Sequence, residues 1–188
     1  MSFKPVLNFL SEDQEARVGT PVSHSLSLVP RLGARVYPRG AFFFAGDPML
    51  TEDARLADML TRSRTIALVG WSPKPDRPSH RVAAFLARQG YRVIPVNPGQ
   101  AGQVALGEVV RASLSEIEGH VDMVDIFRRS EEAGAVVDEA LARFPELVSV
   151  WMQLGVEDEA AAARARARGV EVVMNRCPAI EIPRLGLG

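Results

Sequence analysis

The chain has 188 residues, enough for one ordinary domain and a remainder, and its 47% hydrophobic and 24% charged residues are the balance of a globular protein. With 22 basic and 23 acidic residues the formal net charge is −1, which gives no global reason to expect nucleic acid or an anionic membrane as a partner. The one cysteine, Cys177, excludes an internal disulfide and a cysteine-based zinc cluster, and His24, His80 and His120 are scattered without metal-ligand spacing.

In chain order, the N-terminal segment MSFKPVLNFLSEDQEAR places Pro5, Asn8 and acidic residues where a signal peptide needs an unbroken apolar core. Nowhere does an apolar stretch approach the roughly 20 residues that span a bilayer, so a cytoplasmic protein is expected. Residues 1–48 hold Pro5, Pro21, Pro30, Pro38 and Pro48 and sustain neither a helical nor a strand period; VSHSLSLVP and AFFFAG could each form a short strand. Two readings of this segment stay open: an irregular N-terminal extension, or residues upstream of a natural start at Met49. The regular domain is expected over 49–188.

Thr51 predicts an N-cap for the helix EDARLADMLTR, with acids in its first turn and Leu56, Met59 and Leu60 on its apolar face. TIALVG reads as a buried strand. HRVAAFLARQG reads as a helix with Val82, Phe85 and Leu86 on one side and Gly90 just past its end. YRVIPVNP is a strand whose internal Pro95 predicts an edge or bulged position. GQVALGEVVRASLSEI is expected to hold a short strand and a short helix. VDMVDIF is a further strand, followed by a helix over SEEAGAVVDEALARF with Ser130 as its N-cap. VSVWMQLG and VEVVMN are two more strands, separated by the helix EDEAAAARARARG, which ends at Gly169. In that helix Arg166 points about 200° away from Arg164, so the Ala-Arg repeat reads as a solvated helix rather than a basic stripe.

Strands alternating with helices predict a Rossmann-like, doubly wound α/β fold: a mainly parallel sheet of five or six strands with helices on both faces. In such a fold ligands bind at the strand C-terminal ends, where Gly70, Asn97, Phe127 to Arg129, Gln153 to Gly155 and Asn175 to Pro178 all fall. The loop Gly70-Trp71-Ser72-Pro73-Lys74-Pro75-Asp76-Arg77-Pro78-Ser79 leads from a strand into a helix, the arrangement that receives phosphate on unpaired amides and a favourable dipole. Its three prolines limit the entropy lost on binding, and Lys74, Arg77 and Arg81 can meet phosphate. The alternative reading is a proline-rich surface turn with solvated charges. NAD is disfavoured on two counts: the second and third glycines of its fingerprint are missing, and the second strand ends in Asn97-Pro98 instead of an acid.

GWSPKPDRPSHRVAAFL, YRVIPVNPG, VDMVDIFRRSE, VWMQLGV and MNRCPAIE, in this order and spacing, resemble the stand-alone CoA-binding protein family. That family is similar to the N-terminal CoA-binding domain of the succinyl-CoA synthetase α subunit. The resemblance implies that coenzyme A or an acyl-CoA is the ligand. It places Gly70, Trp71, Ser72, Pro73, Lys74 and Arg77 near the CoA phosphates and Asn97 and Pro98 near the adenosine. Phe127, Arg128 and Arg129 match the third strand end, Met152, Gln153 and Gly155 the fourth, and Cys177 the last motif. Trp71 stands where a small residue is commoner, and residues 1–48 have no counterpart.

An acid in place of Asn97 would repel the 3′-phosphate of CoA, so the residue chemistry agrees with the resemblance. Ligase chemistry is not expected, because the phosphorylated-histidine domain of the synthetase has no room here and His120 lies before a strand, at the wrong edge of the sheet. Cys177 is either a small buried hydrophobe or a thiol whose pKa Arg176 lowers, able to form a mixed disulfide with CoA. A CoA-binding module is therefore the leading expectation, with a small NAD(P)- or acyl-CoA-dependent enzyme using Cys177 as the alternative. A homodimer or a protein partner stays open, since nothing specifies an interface.

Overall fold

The computed structural model describes residues 51–188 and the backbone of two short strands, β1 (Arg35–Val36) and β2 (Phe42–Phe43). These two pair antiparallel within one compact unit, Met1–Ala45, and all other elements belong to a second, Gly46–Gly188. Strand β2 falls within AFFFAG, where a short strand was expected; the other expectations for residues 1–48, including a start at Met49, lie outside the described residues.

Helix α1 (Glu52–Arg62) begins where Thr51 Oγ1 accepts the amide of Ala54 at 3.2 Å, and it buries Leu56, Met59 and Leu60, as the sequence predicts. Strand β3 (Thr65–Val69) follows, then α2 (Pro78–Arg88), which starts two residues earlier than expected because Pro78 supplies a preset helical φ at its first position. Gly90, at φ +91°, follows α2 just beyond its cap. Strand β4 (Arg92–Val96) precedes a 3₁₀ turn at Pro98–Gln100, and 104–116 departs from expectation. Instead of a strand and a helix it forms a two-stranded ribbon, β5 (Val104–Ala105) with β6 (Glu108–Val109), and a second 3₁₀ turn. Leu106 and Gly107 carry the positive φ values that turn the ribbon. The next elements alternate as predicted, β7 (Met123–Ile126), α3 (Ser130–Arg143), β8 (Ser149–Met152), α4 (Glu159–Ala167) and β9 (Glu171–Val173), and a closing helix, α5 (Pro178–Arg184), was not expected.

The sheet has five strands, all parallel, in the order β4-β3-β7-β8-β9. The strand period of two sorts side chains to its faces. Ala67, Val69, Val124, Ile126, Val150 and Met152 pack with α3 and α4, while Ile66, Leu68, Met123 and Trp151 pack with α1, α2 and α5. Pro95 lies in the edge strand, and its carbonyl accepts the amide of Arg111 on the outer side, where its missing N–H breaks no ladder bond. The connection out of β3 runs to β4 on one side, and the chain then returns past β3 to β7 on the other. That reversal is the topological switch point of a doubly wound sheet, where a crevice opens at the strand C-terminal ends.

At the opposite edge, Asp122 Oδ2 accepts the amides of Arg64 and Thr65, both at 2.8 Å, and Asp122 Oδ1 lies 2.5 Å from His120 Nε2. This ties the start of β7 to the start of β3. Leu68, wholly buried at the sheet centre, sets a scale for the core: Leu68→Ala is expected to cost about 2–5 kcal/mol, read as a lower urea midpoint with an unchanged m-value.

Candidate functional site

The loops after β3, β7, β8 and β9 all emerge at the C-terminal edge. Gly70 sits at φ +92°, and a Cβ there would lie 2.9 Å from the Phe127 carbonyl oxygen, so the β3 and β7 loops meet at a distance only glycine permits. The amides of Gly70 and Trp71 both donate to Val96 O, at 2.9 and 3.3 Å, and that of Phe127 donates to Val69 O at 2.8 Å. The first turn of the loop is thus tied to both neighbouring strands.

Beyond it the loop is braced from three directions. Asn97 Nδ2 donates to Trp71 O at 2.6 Å while its Oδ1 accepts the Gly99 amide at 2.9 Å. His80 Nδ1 donates to Ser72 O at 3.1 Å, and its ring stacks on Trp71 at 6.2 Å between centroids. Ser72 Oγ accepts the Lys74 amide at 3.3 Å. Trp71 is buried in the core, so the bulky residue in this loop is an internal brace. The side chains of Lys74 and Arg77 stay exposed, and neither makes an ion pair or side-chain hydrogen bond among the described residues.

A cleft of about 410 Å³ lies against the first turn of α2 and is walled by Phe127, Arg128 and Arg129 after β7, Gln153 to Val156 after β8, and Cys177 at the N-cap of α5. Of the sequence-predicted residues, the structure brings Phe127, Arg128, Arg129, Gln153, Gly155 and Cys177 together here. Gly70, Trp71, Ser72, Pro73, Lys74 and Arg77 form the neighbouring loop, and Asn97 and Pro98 stand behind it. Met152 is fully buried on the α3–α4 side of the sheet and reaches no cleft.

Arg129 pairs with Glu132 across an exposed i, i+3 step, whereas Arg128 forms no salt bridge among the described residues. Arg129 is also the N-cap of α3, a position the sequence assigned to Ser130. Ser130 is instead the first helical residue, and its hydroxyl accepts the Glu157 amide at 3.0 Å, reaching across to the loop after β8.

Behind the cleft wall lies a polar group that the sequence reading missed. Asp125, in β7, is completely buried between Leu68 and Trp151 in the strand register, and both carboxylate oxygens accept from Gln153 Nε2, at 2.9 and 3.1 Å. Burial, opposed only in part by this bond, pushes Asp125 up to about 7. An acid at an inward position of an otherwise apolar strand was the available signal. Trp151 was missed as well, and Asn175, named only as a strand-end residue, has a structural role. Trp151 Nε1 donates to Arg176 O at 2.8 Å, holding the segment before Cys177, and Asn175, at φ +54°, accepts the Gly155 amide at 2.8 Å.

The activation of Cys177 by Arg176 does not occur. Arg176 is turned away to Glu52 (2.7 Å) and Glu181 (3.2 Å). Burial pushes the Cys177 thiol up; the amides of Ala179 and Ile180 and the Gln153 side chain oppose this, and Asp125 adds to it. Adjacency in sequence suggested a contact that the turn into α5 prevents.

Two outcomes follow for this region. Gly70→Ala should lose at least 1–2 kcal/mol from the positive φ alone, more once Phe127 is displaced, measured by chemical denaturation. Asp125 binds a proton more readily folded (about 7) than at its ordinary value of 3.8, so stability should fall as pH rises between those values and level off above them. Asp125→Asn should flatten that fall; an unchanged slope between pH 5 and 8 would assign it to another group.

Comparison with known proteins agrees with this geometry. The family model described as the CoA binding domain matches residues 64–183. The uncharacterized protein YneT of Bacillus subtilis (strain 168) is 40% identical over 124 residues, 66% of this chain and 89% of its own length. Among solved structures, the Thermus thermophilus protein ID.343 is 36% identical with a TM-score of 0.68, covering 72% of this chain and 99% of that one. A hypothetical protein from Pyrococcus horikoshii OT3 is 36% identical with a TM-score of 0.67, covering 74% and 94%. With the family match spanning most of the chain and every strand of the parallel sheet, the protein belongs to the CoA binding domain family.

Proposed function

We propose that this domain binds coenzyme A or an acyl-CoA across the C-terminal edge of the sheet. The phosphates meet Lys74, Arg77 and Arg128, and the pantetheine arm runs along the cleft towards Cys177. The observation that carries this reading is a group of uncompensated cations at the switch point. Arg92, Arg164, Arg176 and Arg184 are each engaged by carboxylates. Lys74, Arg77 and Arg128 form no salt bridge among the described residues, and they stand on the two loops that flank the switch point. A polyanion at that place gains charge-assisted hydrogen bonds without displacing any existing ion pair.

Asn97 favours CoA over NAD. Its carboxamide holds the first loop through Trp71 O, and it puts no negative charge where a ribose phosphate would come. The reading is of binding without ligase chemistry: His120 is paired with Asp122 at the far edge of the sheet, and His80 holds the first loop. Among the described residues no group of His, Cys, Asp and Glu could hold a metal ion, and no helix is long and apolar enough to cross a membrane.

Calorimetry on the full chain with CoA, dephospho-CoA and NAD tests this. CoA should bind tightest and dephospho-CoA more weakly. Lys74→Ala, Arg77→Ala and Arg128→Ala should each weaken CoA roughly ten-fold, the factor that about 1.4 kcal/mol represents, without lowering Tm. Binding of NAD without binding of CoA would overturn the reading.

A further inference from the structure

Asp125 and Gln153 form a polar pair inside an otherwise apolar part of the sheet. Asp125 is wholly buried on β7, with Leu68 and Trp151 as its strand neighbours, and Gln153, just past the end of β8, is 5% exposed. Taking a carboxylate out of water is costly, and one amide compensates it only in part, as the upward shift of Asp125 shows. The bond between them fastens nothing that is loose. Strands β7 and β8 are already paired along their length, and the Gln153 backbone N–H also donates to Ile126 O at 3.2 Å.

What the bond does fix is the orientation of a carboxamide. Gln153 Nε2 is directed at both Asp125 oxygens, at 2.9 and 3.1 Å, and an ionised carboxylate only accepts, so the NH2 group is held on the Asp125 side. Gln153 Oε1, on the other side of the same planar group, accepts no hydrogen bond among the described residues and is not sealed from solvent.

Gln153 and Cys177 both line the cleft of about 410 Å³, with Pro78, Val82, Phe127 and Val156 among the other lining residues. The Gln153 side chain also stands beside the Cys177 thiol. The cleft therefore presents an oriented acceptor among apolar neighbours, a setting that favours a matching donor on an apolar ligand. Pantetheine has that chemistry: an aliphatic chain interrupted by secondary amides, each with one N–H. With the phosphates at Lys74, Arg77 and Arg128 and the thiol near Cys177, the amide next to the thiol end passes Gln153.

We propose that Gln153 Oε1 accepts the N–H of the pantetheine amide nearest the thiol, and that Asp125 is a positioning residue, holding the Gln153 carboxamide with its oxygen towards the cleft. The inference rests on the CoA reading above and adds the polar contact that recognises the arm. Without a carboxylate behind it, the carboxamide is free to turn and present its NH2 group, donor against donor.

Calorimetry at about pH 8, above the range in which Asp125 takes up its proton, compares CoA, acetyl-CoA and 3′-phosphoadenosine 5′-diphosphate, which is CoA without its pantetheine. The full chain is titrated beside Asp125→Asn and the double variant Asp125→Asn/Gln153→Met, neither of which leaves a buried carboxylate without a partner. The double variant should bind CoA and acetyl-CoA roughly five- to ten-fold more weakly, the worth of one hydrogen bond, and 3′-phosphoadenosine 5′-diphosphate as before. Asp125→Asn alone should weaken CoA at least about two-fold, because asparagine accommodates either orientation of the carboxamide. CoA affinity untouched in the double variant, or lowered equally for the ligand without pantetheine, would overturn the contact and leave CoA binding standing. A loss confined to CoA, with acetyl-CoA unaffected, would make the thiol the donor and overturn the amide assignment. Asp125→Asn matching the unsubstituted chain would overturn the positioning role. No binding of CoA by the unsubstituted chain would overturn both this inference and the reading beneath it.

Discussion

The approach of Gly70 to the Phe127 carbonyl, too close for any side chain at residue 70, is the constraint on which the rest of the site depends. It brings the loop after the first sheet strand against the loop after its neighbour at the place where the winding reverses. Asn97 then ties the same loop to the edge strand, and His80 ties it to the helix that follows. Four separate segments hold a shape that none of them has alone, and the outer side chains of Lys74, Asp76 and Arg77 are left unengaged. Binding to such a loop loses little conformational entropy, because most of the ordering has been done by folding.

The site shows a division between charges that hold the protein together and charges that face outward. Arg184 bonds Asp53 and Glu181, and Arg176 bonds Glu52 and Glu181, so the last helix is fastened to the first by ion pairs crossing most of the domain's sequence. Those pairs are partly exposed, and each stabilises modestly. Their larger consequence is that they consume the positive charge on the β9 side. At the C-terminal edge, Lys74, Arg77 and Arg128 are left unpaired after β3 and β7, while Glu52, Glu157 and Glu181 gather beside the loop after β9.

Much of the fold was legible in the sequence because a parallel sheet buried on both faces leaves simple traces. TIALV and VSVWM could only be strands of that kind, and Thr51 and Gly90 marked helix ends through local bonding that needs no tertiary context. Pro95 gave away the edge strand. The failures at the site share one physical character: they involve bonds between residues distant in sequence. Ser130 had the chemistry of an N-cap, yet its hydroxyl was claimed by the Glu157 amide. Arg176 sat beside Cys177 in the chain but reached back to Glu52. The strand reading of VDMVDIF absorbed Asp125 without asking what its carboxylate would do inside; the answer, Gln153, lies 28 residues on. The site was legible as a set of strand ends. Which of those residues face the cleft, and which hold it open from behind, depended on side-chain partners that spacing does not encode.

Pro95 has a consequence beyond its place in the sheet. An edge strand ordinarily offers a row of amides and carbonyls to any passing chain, the usual route by which sheets aggregate. Here one outward amide is missing, the adjacent carbonyl is occupied by Arg111, and the next outward-facing residue, Asn97, also bonds that segment. The far edge is the three-residue β9, too short to template much. With both margins of its sheet blunted in this way, the domain can keep a largely apolar set of parallel strands and still resist growth into a larger sheet.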